Sequence, residues 1–355
     1  MSDDLIGTGT DPDAPPRAVG AATAPAGSPG ARWPIEPRLV IGIAVVVVAL
    51  VAAYLWDSTQ TTAVVARSVR EATPLILGAL CGLIGERSGI VNIGIEGQLL
   101  LGAFSGFMAA SYTESLWVGL AAAIIATSLS GLFLAWTANA LRMDQIIAGT
   151  ILNMFAAGLT SFLYVSGRTM PNIPTLSIPG LEDLPLIGRA LFDQGPLTYV
   201  ALAMVLVVHV ALFHTRWGLR TRAIGEHPSA ADYVGVRVLR LRYVNLALAG
   251  ALAGLAGMAL LQSAGAFNRG MSGGRGFIAL AVMIFGRWRP GGVLAAALLL
   301  GLFNGIQAQL QFRGTFDIPP QFIGMIPFVL TIVVLAVAGV RARPPAAAGP
   351  PSHPE

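Results

Sequence analysis

The amino-acid sequence predicts an all-α integral membrane protein of about ten transmembrane helices, some short or broken, with a short helix inside one cytoplasmic loop. Two observations carry this. Of the 355 residues, 55% are hydrophobic and only 11% charged, too few polar side chains to cover a soluble core of that size. Apolar stretches of about 17 to 25 residues, enough to cross roughly 30 Å of hydrocarbon, also recur along nearly the whole chain. No water satisfies backbone groups at that depth, so each stretch is expected to be a helix.

The predicted spans are 39–56, 72–85, 98–111, 116–141, 145–165, 197–213, 243–261, 276–286, 292–310 and 322–340. The first lies too deep, is too long, and is too poorly followed by a small-residue cleavage site to read as a signal peptide, so a retained span is expected. Segments 72–85, 98–111 and 276–286 are too short to cross as straight helices and are expected to be broken or re-entrant, the form in which membrane proteins expose helix ends to a solute. Residues 1–37 and 344–355, rich in Pro, Gly and Ala, read as disordered tails that flank a membrane domain over 38–343. Gly250, Gly254 and Gly257, and Gly301 with Gly305, are placed to let helix backbones approach closely.

Charge sets orientation and excludes functions. All 22 basic side chains are arginine. Fifteen fall on the N-terminal tail and every second loop, seven on the other set, which places the richer side and both termini in the cytoplasm. Without lysine the chain cannot form a Walker A phosphate loop, so no ordinary P-loop ATPase resides in it. Arginines in short loops are explained by membrane orientation, and no nucleic-acid partner is expected. The single cysteine, Cys81, excludes an intrachain disulfide and any multi-cysteine metal site. Neither an H-E-x-x-H motif nor a paired-carboxylate constellation is present, and no metal or cofactor is expected in the chain. Gly270-Met271-Ser272-Gly273-Gly274 matches G-x-S-x-G and resembles the serine motif of rhomboid proteases. The only histidine after Ser272 is His353 in the tail, so a rhomboid-like dyad is disfavoured.

The longest arginine-rich loop, 214–242, carries Arg216, Arg220, Arg222, Arg237, Arg240 and Arg242 around the run Glu226-His227-Pro228-Ser229-Ala230-Ala231-Asp232-Tyr233-Val234-Gly235. Proline at a first helical position and glycine just past the end bracket a two-turn helix of roughly 10 Å. With Ala230 and Ala231 on its surface, such a helix suits insertion into a groove of a cytoplasmic partner. An ordinary amphipathic surface turn is the alternative.

From Gly218-Leu219-Arg220 through Ala223-Ile224-Gly225-Glu226-His227-Pro228 to Ala230-Ala231 and Gly235, this loop resembles the coupling segment of ABC importer permeases of the ribose, branched-chain amino acid and nucleoside group. Gly85-Glu86-Arg87-Ser88-Gly89-Ile90-Val91-Asn92-Ile93-Gly94-Ile95-Glu96-Gly97 resembles the signature of the nucleoside permeases that work with a basic-membrane-protein type receptor. Asp144-Gln145-Ile146-Ile147-Ala148-Gly149 and the loop from Ile178-Pro179-Gly180-Leu181 to Gly188 are similar to the same subgroup. The likeness covers roughly residues 64–340. It implies a permease subunit of a bacterial inner-membrane importer that moves a nucleoside by alternating access. The implied partners are cytoplasmic ATPase subunits that carry ATP-Mg, a second related permease or a second copy, and an extracytoplasmic substrate-binding lipoprotein. Glu226, His227, Pro228, Ala230, Ala231 and Gly235 are the coupling residues on this reading. A permease for a sugar such as ribose or galactose, or a secondary transporter, are the alternatives.

Polar residues at membrane depth are the candidates for a solute pathway. Asn92 and Glu96, four apart, offer an amide and a carboxylate to ribose hydroxyls and base edges. Glu96 also suits the first turn of a helix, or a pairing with Arg87. Gln145, Gly149 and Asn153 share one helical face, as do Asn304, Gln307 and Gln311. Hydrogen bonding between helices is the competing reading for both stripes. Asp144 is expected as an N-cap. Phe104, Phe107, Phe155 and Phe162 either stack a base or pack the bundle. The extracytoplasmic loop 166–196 either docks a binding protein or seals the bundle. The turns at Gly85-Glu86-Arg87-Ser88-Gly89 and Gly286-Arg287-Trp288-Arg289-Pro290-Gly291 are alike, a hint of internal duplication.

Overall fold

A computed structural model describes residues 54–177, 179–181, 188–313 and 344–349, with single residues at 48, 51, 52, 322, 325 and 329. Most of the predicted first and last spans, the N-terminal tail and half of the C-terminal tail lie outside the described residues. So do Glu182 and Asp183 of the extracytoplasmic loop.

Asp57 opens the first long helix by accepting the Gln60 N–H at 3.0 Å, and α1 runs Ser58–Arg87. Every residue from Ala72 to Glu86 is buried, so this apolar helix is the centre of the bundle rather than a lipid-facing element. Around it lie α2 (Ile95–Thr113), α3 (Leu116–Asn139), α4 (Gln145–Leu163), α5 (Gly188–Phe192), α6 (Pro196–His214), α7 (Arg216–Glu226), α8 (Pro228–Tyr233), α9 (Val238–Ala264), α10 (Arg275–Phe285) and α11 (Pro290–Arg313). The only sheet among the described residues is a two-residue antiparallel pair, β1 (Leu176–Ser177) with β2 (Asp193–Gln194). As expected, Asp144 caps α4, its Oδ1 accepting from Ile146 N and Ile147 N at 2.8 and 3.1 Å.

Six described helices are long and apolar enough to cross a membrane: Ser58–Arg87, Leu116–Asn139, Gln145–Leu163, Pro196–His214, Val238–Ala264 and Pro290–Gln311. The count of ten is not reached among the described residues. Of the three segments expected to be short, 72–85 is the inner part of the 30-residue α1, and 98–111 belongs to the 19-residue α2. Only α10 stays short, at 11 residues, or roughly 16 Å, about half of a hydrocarbon core.

The glycine seams are the contact surfaces the sequence predicts. A Cβ on Gly250 would meet the Thr127 carbonyl oxygen, one on Gly254 the Thr127 Oγ1 and, at 2.8 Å, the Ala123 carbonyl, and one on Gly257 the backbone of Leu99 and Ala103. α9 therefore lies backbone to backbone on α3 and α2. Gly301 and Gly305 do the same for α11, meeting the Ser68 carbonyl and the Ser68 hydroxyl of α1. Lipid offers no hydrophobic drive between helices, so this close packing holds the bundle. Gly250→Val is expected to lower stability by about 1–3 kcal/mol through overpacking, read as a lower unfolding temperature of the protein in detergent.

Candidate functional site

The stretch from Gly85 to Gly97 turns the chain back into the bundle. Ser88 Oγ and Ile90 N both donate to Gly85 O, at 2.7 and 3.1 Å, closing the turn at the end of α1. Gly89, at φ +82°, occupies the left-handed region where a side chain is disfavoured. Residues 90–94 are then held from outside by α4. Gln145 Oε1 accepts from Val91 N at 2.7 Å, Asn153 Nδ2 donates to Ile93 O at 3.0 Å, and Asn153 Oδ1 accepts from Gly97 N at 2.7 Å. Between them a Cβ on Gly149 would lie 2.8 Å from Gly94 N. The polar stripe of α4 is thus a ladder for the backbone of an irregular segment, the kind of backbone that membranes tolerate only inside protein.

Asn92 and Glu96 are positioned by this segment. Asn92 is fully buried, its Nδ2 donating to Gln98 Oε1 at 2.8 Å and to Cys81 Sγ at 3.6 Å. Asn92 Oδ1 and Gln98 Nε2 are buried without a protein partner, so this cluster holds one acceptor and one donor in reserve at the heart of the bundle. Glu96 stands in the first turn of α2 and spans to the start of another helix. Its Oε1 accepts from Gly274 N at 2.8 Å and its Oε2 from Gly276 N at 2.7 Å. One carboxylate therefore sits at the N-termini of both α2 and α10, where both helix dipoles favour negative charge. The helices meet so closely that a Cβ on Gly276 would fall on the Glu96 backbone. The pairing with Arg87 expected as one alternative is not formed: Arg87 Nη2 donates to Trp288 O at 2.9 Å.

The remaining predicted residues lie elsewhere. Asn304 and Gln307 are half-buried on α11, and no described hydrogen bond joins them to the Gly85–Gly97 stretch. Phe104 and Phe107 pack with Tyr164 and Phe267, ring centroids 5.0 to 6.2 Å apart, while Phe155 and Phe162 point outward from the chain. Ser272 of the G-x-S-x-G match is buried in the turn that starts α10, its carbonyl accepting from Arg275 N at 2.8 Å.

At the C-terminal end of α1 the two similar turns meet. Trp288 Nε1 donates to the buried Glu86 Oε2 at 2.6 Å, and Arg87 donates to the Trp288 carbonyl. Trp288 and its neighbour Arg287 sit at φ +51° and +54°, a costly conformation for non-glycine residues that persists only where surroundings impose it. Arg242 Nε donates to Ser88 O at 3.2 Å, which brings the start of α9 to the same point. α8 follows directly: Pro228 begins it, and Gly235 at φ +82° ends it with Gly235 N donating to Asp232 O at 2.8 Å. Ser229, Ala230, Asp232, Tyr233 and Val234 face outward, while Ala231 is buried against the chain. Ala230 therefore shares the exposed surface of α8 with Tyr233 and Val234, and Ala231 does not. His227 and Glu226 are exposed at the hinge before the helix.

Residues 64–335 match the family described as the branched-chain amino acid transport system / permease component. The chain belongs to this permease family. It is 38% identical to the nucleoside ABC transporter permease protein NupC of Lactococcus lactis, over 81% of this chain and 95% of that one. It is 37% identical to the guanosine ABC transporter permease protein NupQ of Bacillus subtilis, over 79% and 93%. A Haloferax volcanii permease protein, TsgC13, provisionally named for glucose, is 34% identical over 77% and 91%. Proteins of this kind are transport components, not enzymes, and work with ATPase and substrate-binding partners.

Several residues of this permease that hold the site escape sequence reasoning. Glu71 pairs with Arg275 at 3.2 Å, which offsets a cation in the first turn of α10, where the dipole disfavours it. Gln98 and Trp288 find their partners through the fold alone.

Glu96→Ala is expected to orphan the Gly274 and Gly276 N–H groups, at about 1–3 kcal/mol each. The loss should appear as a lower unfolding temperature and as faster amide exchange confined first to α10. Trp288→Phe is expected to cost about 1–3 kcal/mol by leaving Glu86 without its donor, and the double variant Glu86→Leu/Trp288→Phe to recover part of that loss. Unfolding of the wild type, Glu86→Leu, Trp288→Phe and the double variant in one detergent reads this coupling.

Proposed function

We propose that this chain is the membrane-spanning subunit of an ABC importer that passes nucleosides into a bacterial cell. The observation that carries the substrate class is the similarity, over most of both chains, to relatives named for nucleosides and guanosine. The chemistry of the buried segment supports it. Asn92 and Gln98 keep an unpartnered amide oxygen and an unpartnered amide nitrogen, a pair suited to the mixed donors and acceptors of a base edge or a ribose. They lie beside a helix junction of the kind that lines solute sites in transporters.

The power stroke comes from outside. Two ATPase subunits carry ATP-Mg, and α8 docks on one of them through Ala230, Tyr233 and Val234. A sister permease or a second copy of this chain completes the pathway, and an extracytoplasmic binding lipoprotein delivers the solute. Both termini face the cytoplasm, a reading supported by the arginine distribution. Closure of the ATPases moves α8 and rocks the bundle, so the pathway opens alternately to each side.

A sugar pathway is the second reading, supported by the similarity to TsgC13. Uptake of labelled inosine, uridine and glucose by cells with and without this chain separates the two. The nucleoside reading expects loss of inosine or uridine uptake alone, and loss of glucose uptake alone transfers the assignment to sugars. Ala230→Glu is expected to leave receptor binding intact while ATP hydrolysis and uptake separate, measured on the reconstituted assembly. Unchanged uptake at equal expression would remove α8 from the docking role.

A further inference from the structure

The C-terminal residues 344–349 return to the base of α8, and neither the family match nor the predicted sites account for them. Ala347 N donates to Gly225 O at 2.9 Å, and Ala346 N donates to Glu226 Oε2 at 3.3 Å. Ala348 N donates back to Pro345 O at 3.1 Å, which folds the segment into a turn with Pro345 buried. Gly225 is in the last turn of α7, where carbonyls have no intrahelical donor, so the segment satisfies a group the helix itself leaves open.

Four segments converge here. A Cβ on Gly89 would lie 3.1 Å from Arg242 Nη2, 3.3 Å from Ala347 Cβ and 3.4 Å from Ile224 O. A Cβ on Gly225 would fall on the Arg87 carbonyl. The segment therefore contacts both the turn that ends α1 and the junction two residues ahead of Pro228.

We propose that residues 344–349 form a regulatory strap that ties the α7–α8 junction to the Gly89 turn. Resting on the importer reading, it restrains α8 until a loaded receptor is present, so that ATP is not hydrolysed idly. The strap holds through backbone donors and an alanine at a glycine, so its sequence demands are small side chains and free N–H groups. Displacing it needs only the loss of one or two hydrogen bonds, an energy that a docked partner readily supplies.

The test uses the full assembly of this chain with its ATPases, sister permease and receptor in proteoliposomes. Glu226→Cys/Ala346→Cys is oxidised and then cut at the arginines between the two sites. Fragments that stay joined until thiol reduction show the strap in place, and Cys81, fully buried, does not compete. Ala347→Pro removes the N–H to Gly225, and a stop after Arg343 removes the segment. Both are expected to raise receptor-independent ATP hydrolysis about three- to tenfold, the worth of one or two hydrogen bonds, while the oxidised cysteine pair turns over more slowly with loaded receptor than the same pair reduced. Ala347→Pro guards against a truncated chain that fails to fold. Wild-type turnover in Ala347→Pro and in the oxidised pair overturns the proposal, as does failure of the pair to join. If the wild-type assembly hydrolyses ATP on receptor binding yet moves no nucleoside, the substrate reading fails and the strap is still judged by turnover.

Discussion

The first N–H groups of a helix find no acceptor within the helix itself. In this permease the half-buried Glu96 meets that demand at the start of α10, accepting from Gly274 N and Gly276 N. Much of the surrounding structure serves to keep that carboxylate in place. The α4 ladder of Gln145 and Asn153 fixes the backbone on either side of it, Gly276 lets α10 approach, and the Glu71–Arg275 pair offsets the one charge that opposes the α10 dipole. A carboxylate held by two backbone N–H groups and two helix dipoles is stabilised, and removing it leaves those donors without their acceptor.

The end of the bundle that carries α8 is organised by a second set of contacts. Glu86, Arg87 and Ser88 at the end of α1 receive Trp288 from the turn before α11 and Arg242 from α9. The left-handed backbone at Arg287 and Trp288 is held by these bonds. Gly225 packs on the Arg87 carbonyl, so the α7–α8 junction touches the end of α1 through backbone rather than through long side chains. The junction and the buried helix α1 are therefore in direct backbone contact. Helix α1 also carries Cys81, which contacts Asn92 and Gln98, so the same element connects the α7–α8 junction with the buried amides.

The sequence alone determined the membrane class, the lack of any lysine for a Walker A loop, the Asp144 cap and the Pro228 and Gly235 limits of α8. Each of these depends on composition or on residues within a few positions of one another, where local sterics and capping decide the outcome. Periodicity also showed that Gln145, Gly149 and Asn153 share a face and that the α9 and α11 glycines form seams. It did not show what those faces meet, because period 3.6 orders residues around one axis and carries no information about the next helix. The charged residues Arg70 and Glu71 interrupt the apolar count and made α1 look short. Tertiary partners, Gln194 for Arg70 and Arg275 for Glu71, allow it to continue. Glu96 bonding to Gly274 and Gly276, Trp288 to Glu86, the inward turn of Ala231 and the return of Ala347 to Gly225 were all decided by the tertiary structure. Those contacts join positions far apart in the chain, and only the packed bundle brings their donors and acceptors within bonding distance.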